Sequence, residues 1–209
     1  MVYSLDILPA WGYYTGVELL DGDRLKIGPL SPVNDGGVGW YGVPADPTYF
    51  PKHVKWMDRK GNSVPDFDAA QLISVSERAR NIIEQIEPRV HQFLPVKFAD
   101  IKGHFLEDRY WFMVCNRLDS VDRAKTTMVL RGAQWVIARD LVRRGESIPA
   151  HIDPNATPRI AFDLSAIGAS HVWVDKHIGH ASGFVSELMA AALRDAGMTG
   201  VRLTKQLAA

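Results

Sequence analysis

Val185-Ser186-Glu187 opens the stretch that most narrows what this chain can fold into. Val185, Leu188, Met189, Ala192, Leu193 and Ala196 recur at three- and four-residue steps, so a helix here buries one face and leaves Glu187, Arg194 and Asp195 in water. Ser186 is the predicted N-cap, because its hydroxyl can accept a free helix N–H, and Glu187 sits where the helix dipole favours a carboxylate. Gly197 is the predicted stop, since a left-handed residue costs least without a Cβ. Gly200 and the alternating Val201-Arg202-Leu203 then bring the chain back as a strand. The same grammar occurs once earlier. Val75-Ser76-Glu77 precedes an apolar stripe of Ala79, Ile82, Ile83 and Ile86, Arg80 and Glu84 form an i,i+4 pair, and Pro88 stops the helix before a strand over Phe93–Phe98. Ser74-x-x-Glu77 also fits a capping box, which would start that helix two residues sooner. Two such units read either as a duplicated half or as two separate strand-helix-strand crossings. Because short capped helices are common, the second reading is the expectation.

The remaining elements follow from local pattern. Leu5, Ile7 and Leu8 start a strand, and Val17–Leu20 with Leu25–Ile27 flank a turn at Asp21-Gly22-Asp23. From Gly28 to Pro65 the chain is dense in Gly and Pro yet carries Trp40, Tyr41, Tyr49, Phe50 and Trp56, which suits a docked, loop-rich arm better than a free linker. Tyr110–Cys115 reads as a central strand, apolar on both faces, and Gln134–Arg144 as a helix with Val136, Ile137 and Leu141 inward. Ile148–Pro158 is a polar loop, and Ile160–Phe162 and Val172–Val174 are short strands. The expected class is α+β: a mixed sheet with two or three packed helices and a loop-rich N-terminal arm, divided as residues 1–70 (arm or lobe) and 71–209 (core).

Charge restricts the choice of partner. The 24 basic and 24 acidic residues cancel, so no whole-molecule field draws the chain to nucleic acid or anionic lipid. The first fifty residues are acidic, with Asp6, Glu18, Asp21, Asp23, Asp35 and Asp46 against Arg24 and Lys26, whereas the middle of the chain is basic. A single cysteine, Cys115, permits no internal disulfide, and no apolar run approaches bilayer length, so a cytoplasmic setting is expected.

Several stretches imitate catalytic motifs. Gly37-Val38-Gly39-Trp40-Tyr41-Gly42 spells a dinucleotide-binding pattern, but Pro32 before it and Pro44 and Pro47 after it fit a turn rather than a strand-to-helix phosphate loop. His177-Ile178-Gly179-His180 spells the HIGH signature of class I aminoacyl-tRNA synthetases, with too little chain downstream for that domain. The same histidines with His171 and Asp175 are a conceivable metal site, although a structural zinc site usually brings cysteines. Gly179-His180-Ala181-Ser182-Gly183 misses the nucleophile elbow by one position. Cys115 in an apolar strand reads as inert packing. Asp119 and Asp122 could serve hydrolysis, yet Arg117, Arg123 and Lys125 beside them suggest a salt-bridged turn. No cofactor is called for.

Taken as an ordered set, the residues resemble a bacterial immunity-protein family, the eleventh, Myxococcus-type immunity family of polymorphic toxin systems. The resemblance runs through Asp66-Phe67-Asp68, Leu72–Arg78, Val90–Val96, the strand from Tyr110, Asn116–Asp122, Ile160–Asp163, His171-Val172-Trp173 and Gly197–Leu203, about two thirds of the chain. It implies a non-enzymatic protein that binds and neutralises a cognate toxin, with no membrane or nucleic-acid partner. The candidate contact residues are Asp35, Trp40, Tyr41, Asp46 and Tyr49 on the arm, with Asp119 and Asp122: aromatics anchor interfaces, and carboxylates can oppose a basic toxin site. The alternative is a small metal- or carboxylate-dependent hydrolase or transferase built on Asp119, Asp122 or the His177/His180 loop.

Overall fold

The two serine-capped helices form where the sequence places them. In a computed structural model describing residues 1–8, 15–22, 42–69, 72–178 and 183–208, Glu77–Ile86 is helix α1 and Glu187–Asp195 is helix α4. Ser76 Oγ accepts the Ala79 N–H and Ser186 Oγ the Met189 N–H, both at 3.2 Å, so the cap of the first helix is Ser76 and not Ser74. Gly197 closes α4 at φ 61°, with the Met198 N–H donating to Leu193 O at 3.1 Å. Between these helices lie the short helices α2 (Ala138–Arg143) and α3 (Leu164–Ile167).

The strands are β1 (Val2–Ile7), β2 (Val17–Leu19), β3 (His53–Trp56), β4 (Phe67–Asp68), β5 (Ser74–Ser76), β6 (Gln92–Ala99), β7 (Phe105–Met113), β8 (Arg117–Leu118), β9 (Met128–Arg131), β10 (Gln134–Ile137), β11 (Ala161–Phe162), β12 (Val172–Asp175), β13 (Gly183–Ser186) and β14 (Val201–Ala208). Strand takes 36% of the described residues and helix 18%, so the α+β class is weighted towards β. In place of one mixed sheet the described residues form two of six strands, in the orders β2-β3-β6-β7-β5-β4 and β11-β14-β1-β13-β12-β8, plus a two-stranded ribbon of β9 and β10. The helix expected over Gln134–Arg144 is confined to α2. Its first four residues, Gln-Trp-Val-Ile, are β-formers, and Gly132 at φ 58° turns them back onto β9 as a hairpin.

The two sheets repeat one plan, which corrects the expectation of two unrelated crossings. In the first sheet β5 leads through α1 to β6, with β7 lying antiparallel between β5 and β6, β4 antiparallel on the far side of β5, and β3 parallel to β6. In the second, β13 leads through α4 to β14, with β1 between them, β12 outside β13, and β11 parallel to β14. Register agrees as well as order. Val75 faces Phe67 and Tyr110, while Val185 faces Val172 and Tyr3; Pro95 faces Tyr110, while Lys205 faces Tyr3. The strand that completes the second half is thus β1, from the opposite end of the chain.

The main core forms where the halves meet. Tyr3, Leu5, Phe67, Val75, Ile83, Phe112, Val172, Val185, Met189 and Leu193 are all buried in one cluster with the small Ala79 and Ala190, and α1 packs against α4. Each large apolar side chain buried in this way contributes about 2 kcal/mol. A second cluster (Phe50, Val54, Trp56, Leu94, Val96, Phe98, Trp111) covers the other face of the first sheet, and a third (Val2, Phe162, Trp173, Phe184) that of the second. Of residues 1–70, β1 is interior to a sheet and β3 and β4 belong to the other; the Gly/Pro-rich stretch 23–41 lies outside the described residues, as does the expected Leu25–Ile27 strand.

Candidate functional site

Polar side chains concentrate where the halves clasp one another. Each half exposes two consecutive N–H groups at the entry to its outer hairpin, Asp66 and Phe67 in the first, His171 and Val172 in the second. The loop after α4 answers the first pair: Thr199 Oγ1 accepts from Asp66 N at 2.9 Å and Thr199 O from Phe67 N at 3.0 Å. The residue after α1 answers the second: Glu87 Oε1 accepts from His171 N at 3.0 Å and Oε2 from Val172 N at 2.8 Å.

Glu87 takes two further donors, Asn116 Nδ2 at 2.9 Å and His91 Nε2 at 2.9 Å. His91 Nδ1 accepts from Cys115 N at 3.2 Å, so the ring is a neutral Nε2–H tautomer. Burial on its own would raise the Glu87 carboxyl, but the His91 hydrogen bond and the His171 and Val172 N–H groups outweigh it and hold the group below the usual carboxylate range. This arrangement is a saturated structural lock with no vacant acceptor site.

Of the residues considered for metal or hydrolytic chemistry, Asp175 and His171 are spent in the same way. Asp175 is buried, and its four donors are Ser120 N and Oγ on Oδ2, at 2.7 and 2.8 Å, and His177 N and Ile178 N on Oδ1, at 2.8 and 3.2 Å. That fills a carboxylate's accepting capacity and fastens β12 to the turn after β8. His171 Nδ1 shares a 2.8 Å hydrogen bond with Ser186 Oγ, the oxygen that also accepts the Met189 N–H. His177 Nδ1 is buried without a partner, its Nε2 lies 4.0 Å from Asp119, and His180 falls outside the described residues, as do Gly37–Tyr41 and Ser182. Among the described residues no three His, Cys, Asp or Glu side chains are grouped to hold a metal ion. Burial raises the Cys115 thiol, which suits packing rather than reaction.

Of the contact candidates, Asp35, Trp40 and Tyr41 lie outside the described residues. Asp46 is exposed and caps the 3-10 turn Pro47–Tyr49, its Oδ1 accepting from Thr48 N at 2.9 Å and Oγ1 at 2.7 Å; these bonds, the backbone one first, lower its pKa. Tyr49 is half-buried. This end of the arm is pinned at three points. A Cβ on Gly42 would fall 2.4 Å from Arg117 Cβ and 2.6 Å from Val174 Cγ2, Ala45 exchanges 2.8 Å hydrogen bonds with the Gln92 amide, and Phe50 enters the outer core. The arm therefore passes the β8 edge, two residues from Asp119. Asp119 itself bonds Arg123 at 2.8 Å, while Asp122 accepts Ala124 N and Lys125 N at 2.9 and 3.2 Å, so both shape an exposed turn.

Residues 27–208 match the Immunity protein family (Imm11). The chain belongs to the Imm11 immunity protein family. No curated protein matches it. Apart from β1 and β2, which precede residue 27, the match spans both halves, and the segment from β8 to β11 lies within the matched range. Sequence reasoning missed the Glu87 lock. A Glu-Pro-x-x-His step over Glu87–His91 was its only local trace, and the partners Asn116, His171 and Val172 come from the other half.

Proposed function

We propose that this Imm11 protein binds a cognate toxin and neutralises it through protein–protein contact, turning over no substrate. The family match over residues 27–208 carries the reading. It is supported by the state of the side chains best suited to chemistry: Glu87 and Asp175 are saturated by internal donors, and the Asp119 and Asp122 carboxylates hold a turn. The proposed contact surface comprises Asp35, Trp40, Tyr41, Asp46 and Tyr49 with Asp119 and Asp122. Gly42 against Arg117 brings the arm to the same edge as the 119–122 turn. We place the protein in the cytoplasm, where it would meet an incoming toxin; among the described residues no helix is long and apolar enough to cross a membrane.

Co-expression tests the reading. The toxin domain encoded by the neighbouring gene should kill cells alone and spare them when this chain is present. Unabated killing with the immunity protein folded and abundant would refute it.

A further inference from the structure

The second core cluster reaches the surface beside the arm. β3 begins at His53, opposite Lys97, so the part of β6 before Lys97 is not paired with β3. The chain entering β3 runs past it instead, held by Lys97 N donating to Lys52 O at 2.9 Å and Trp111 Nε1 to Pro51 O at 2.7 Å. Between that chain and β6 lies a groove of about 410 Å³, within the range of about 300–1,000 Å³ typical of binding pockets. Its floor is Phe50, Leu94 and Val96, all buried members of the second cluster, and its rim residues Pro47, Lys52, Pro95 and Lys97 are all exposed. Pro47 opens the 3-10 turn between Asp46 and Tyr49, so the groove adjoins those two contact candidates.

Two features of the lining decide what fits. Lys97 turns its N–H to the groove side, and alternation gives Pro95 the same direction, where proline has no N–H to offer. An added strand would miss that ladder bond, so the groove suits a side chain better than a strand. Charge sets the second limit. Lys52 and Lys97 have no carboxylate in ion-pair range among the described residues, and the lining holds one acidic residue, Asp108, against them. The remaining basic group, His53, stands 4.0 Å from Asp21. An apolar floor with two unpaired ammonium groups on its rim complements an apolar side chain that has an anion beside it.

We infer that the groove between Pro47–His53 and β6 receives an apolar side chain of the toxin, flanked by a carboxylate that meets Lys52 and Lys97. This rests on the proposed toxin-binding function and gives the arm's contact surface its anchor point. A buried apolar floor ringed by exposed polar groups is where anchor residues of an interface seat and lose their water. The lysines add orientation: a toxin segment with the apolar residue and no acid next to it leaves both ammonium groups unmatched.

The test is methyl NMR of the intact protein during titration with the purified, catalytically inactivated toxin domain of the neighbouring gene. The Leu94 and Val96 methyl signals should shift on complex formation, and by more than those of Val129 and Leu141, which pack in a separate cluster. Lys52→Glu with Lys97→Glu, at exposed positions and with the wild-type melting temperature, should weaken binding about tenfold or more at low salt and flatten its salt dependence. A complex that leaves the Leu94 and Val96 signals in place, or that the double variant forms within twofold of wild type, would overturn the assignment and leave toxin binding standing. Concentration-dependent shifts of the same signals in the protein alone would also overturn it, by making a second copy the occupant. Absence of any complex with the wild type would overturn both inferences together.

Discussion

The two halves lock onto each other with the same geometry and different chemistry. In one direction the pair of N–H groups is met by a hydroxyl and a backbone carbonyl of Thr199, at an exposed position; in the other it is met by the two oxygens of Glu87, which is 6% exposed. The serine caps diverge in parallel. Ser76 Oγ donates to Asp66 Oδ1 at 2.7 Å, whereas Ser186 Oγ is paired with His171 Nδ1. A repeated fold therefore tolerates exchange of carboxylate, imidazole and amide carbonyl wherever each saturates the same donors. In both clasps the two N–H groups are met. The comparison also separates the shared frame of paired strands and helices from the β9–β10 ribbon, which has no counterpart in the first half among the described residues.

The largest effect that would break the parallel is at Glu87. Glu87→Ala strands four buried donors and should cost about 4 kcal/mol in urea unfolding. Asp66→Ala, in the other clasp, should cost only about 1–2 kcal/mol, since water can reach its partner Thr199. Equal losses would mean that burial does not distinguish the two locks. Both carboxyls are held low against the upward push of burial, Glu87 by His91 and two N–H groups, Asp66 by Thr199, Ser76 and Arg78. Because the folded pKa lies below the unfolded one, each contributes stability above the ordinary carboxylate range and loses it as pH falls through its folded pKa. Glu87→Gln should flatten the acid limb of the stability curve.

A smaller effect sharpens the contrast at Gly200, whose φ is 76° and whose added Cβ would fall 2.0 Å from Phe67 O. Gly200→Ala should lower stability by about 2–3 kcal/mol, while Val90→Ala, at the matching exposed position of the first half, should change it by about 0.5 kcal/mol. Similar values from thermal melts would show that only one side of the lock had been read correctly. The smallest effect concerns connectivity. The turn between β6 and β7 corresponds to the gap between β14 and β1, so joining those ends with a five-residue turn and reopening the chain between Ala99 and Phe105 should preserve the fold. A permutant that fails to refold would show that the halves are alike in outline only.

Much of the frame was legible because it is written locally. Ser-Glu caps and apolar steps of three and four located α1 and α4, and alternating or continuous apolar runs located β1, β6, β7, β11 and β12. Long-range pairing was not: nothing near Val2–Ile7 says that it lies between β13 and β14, and β2 pairs with β3 instead of its sequence neighbour. Gln134–Arg144 misled because Val136, Ile137 and Leu141 fit a helical spacing, which also hid the strand alternation of Trp135 and Ile137. Asp119 and Asp122 were legible as turn residues beside cations, and Asp46 emerges as a cap.

The decisive measurement is calorimetric titration of the wild-type protein with the inactivated toxin domain of the neighbouring gene. A one-to-one complex with a dissociation constant of about 1 nM or tighter, and no covalent change in either chain by mass spectrometry, is the predicted result. Protection of cells with no complex formed, or with a toxin chemically altered by catalytic amounts of this protein, would contradict neutralisation by binding.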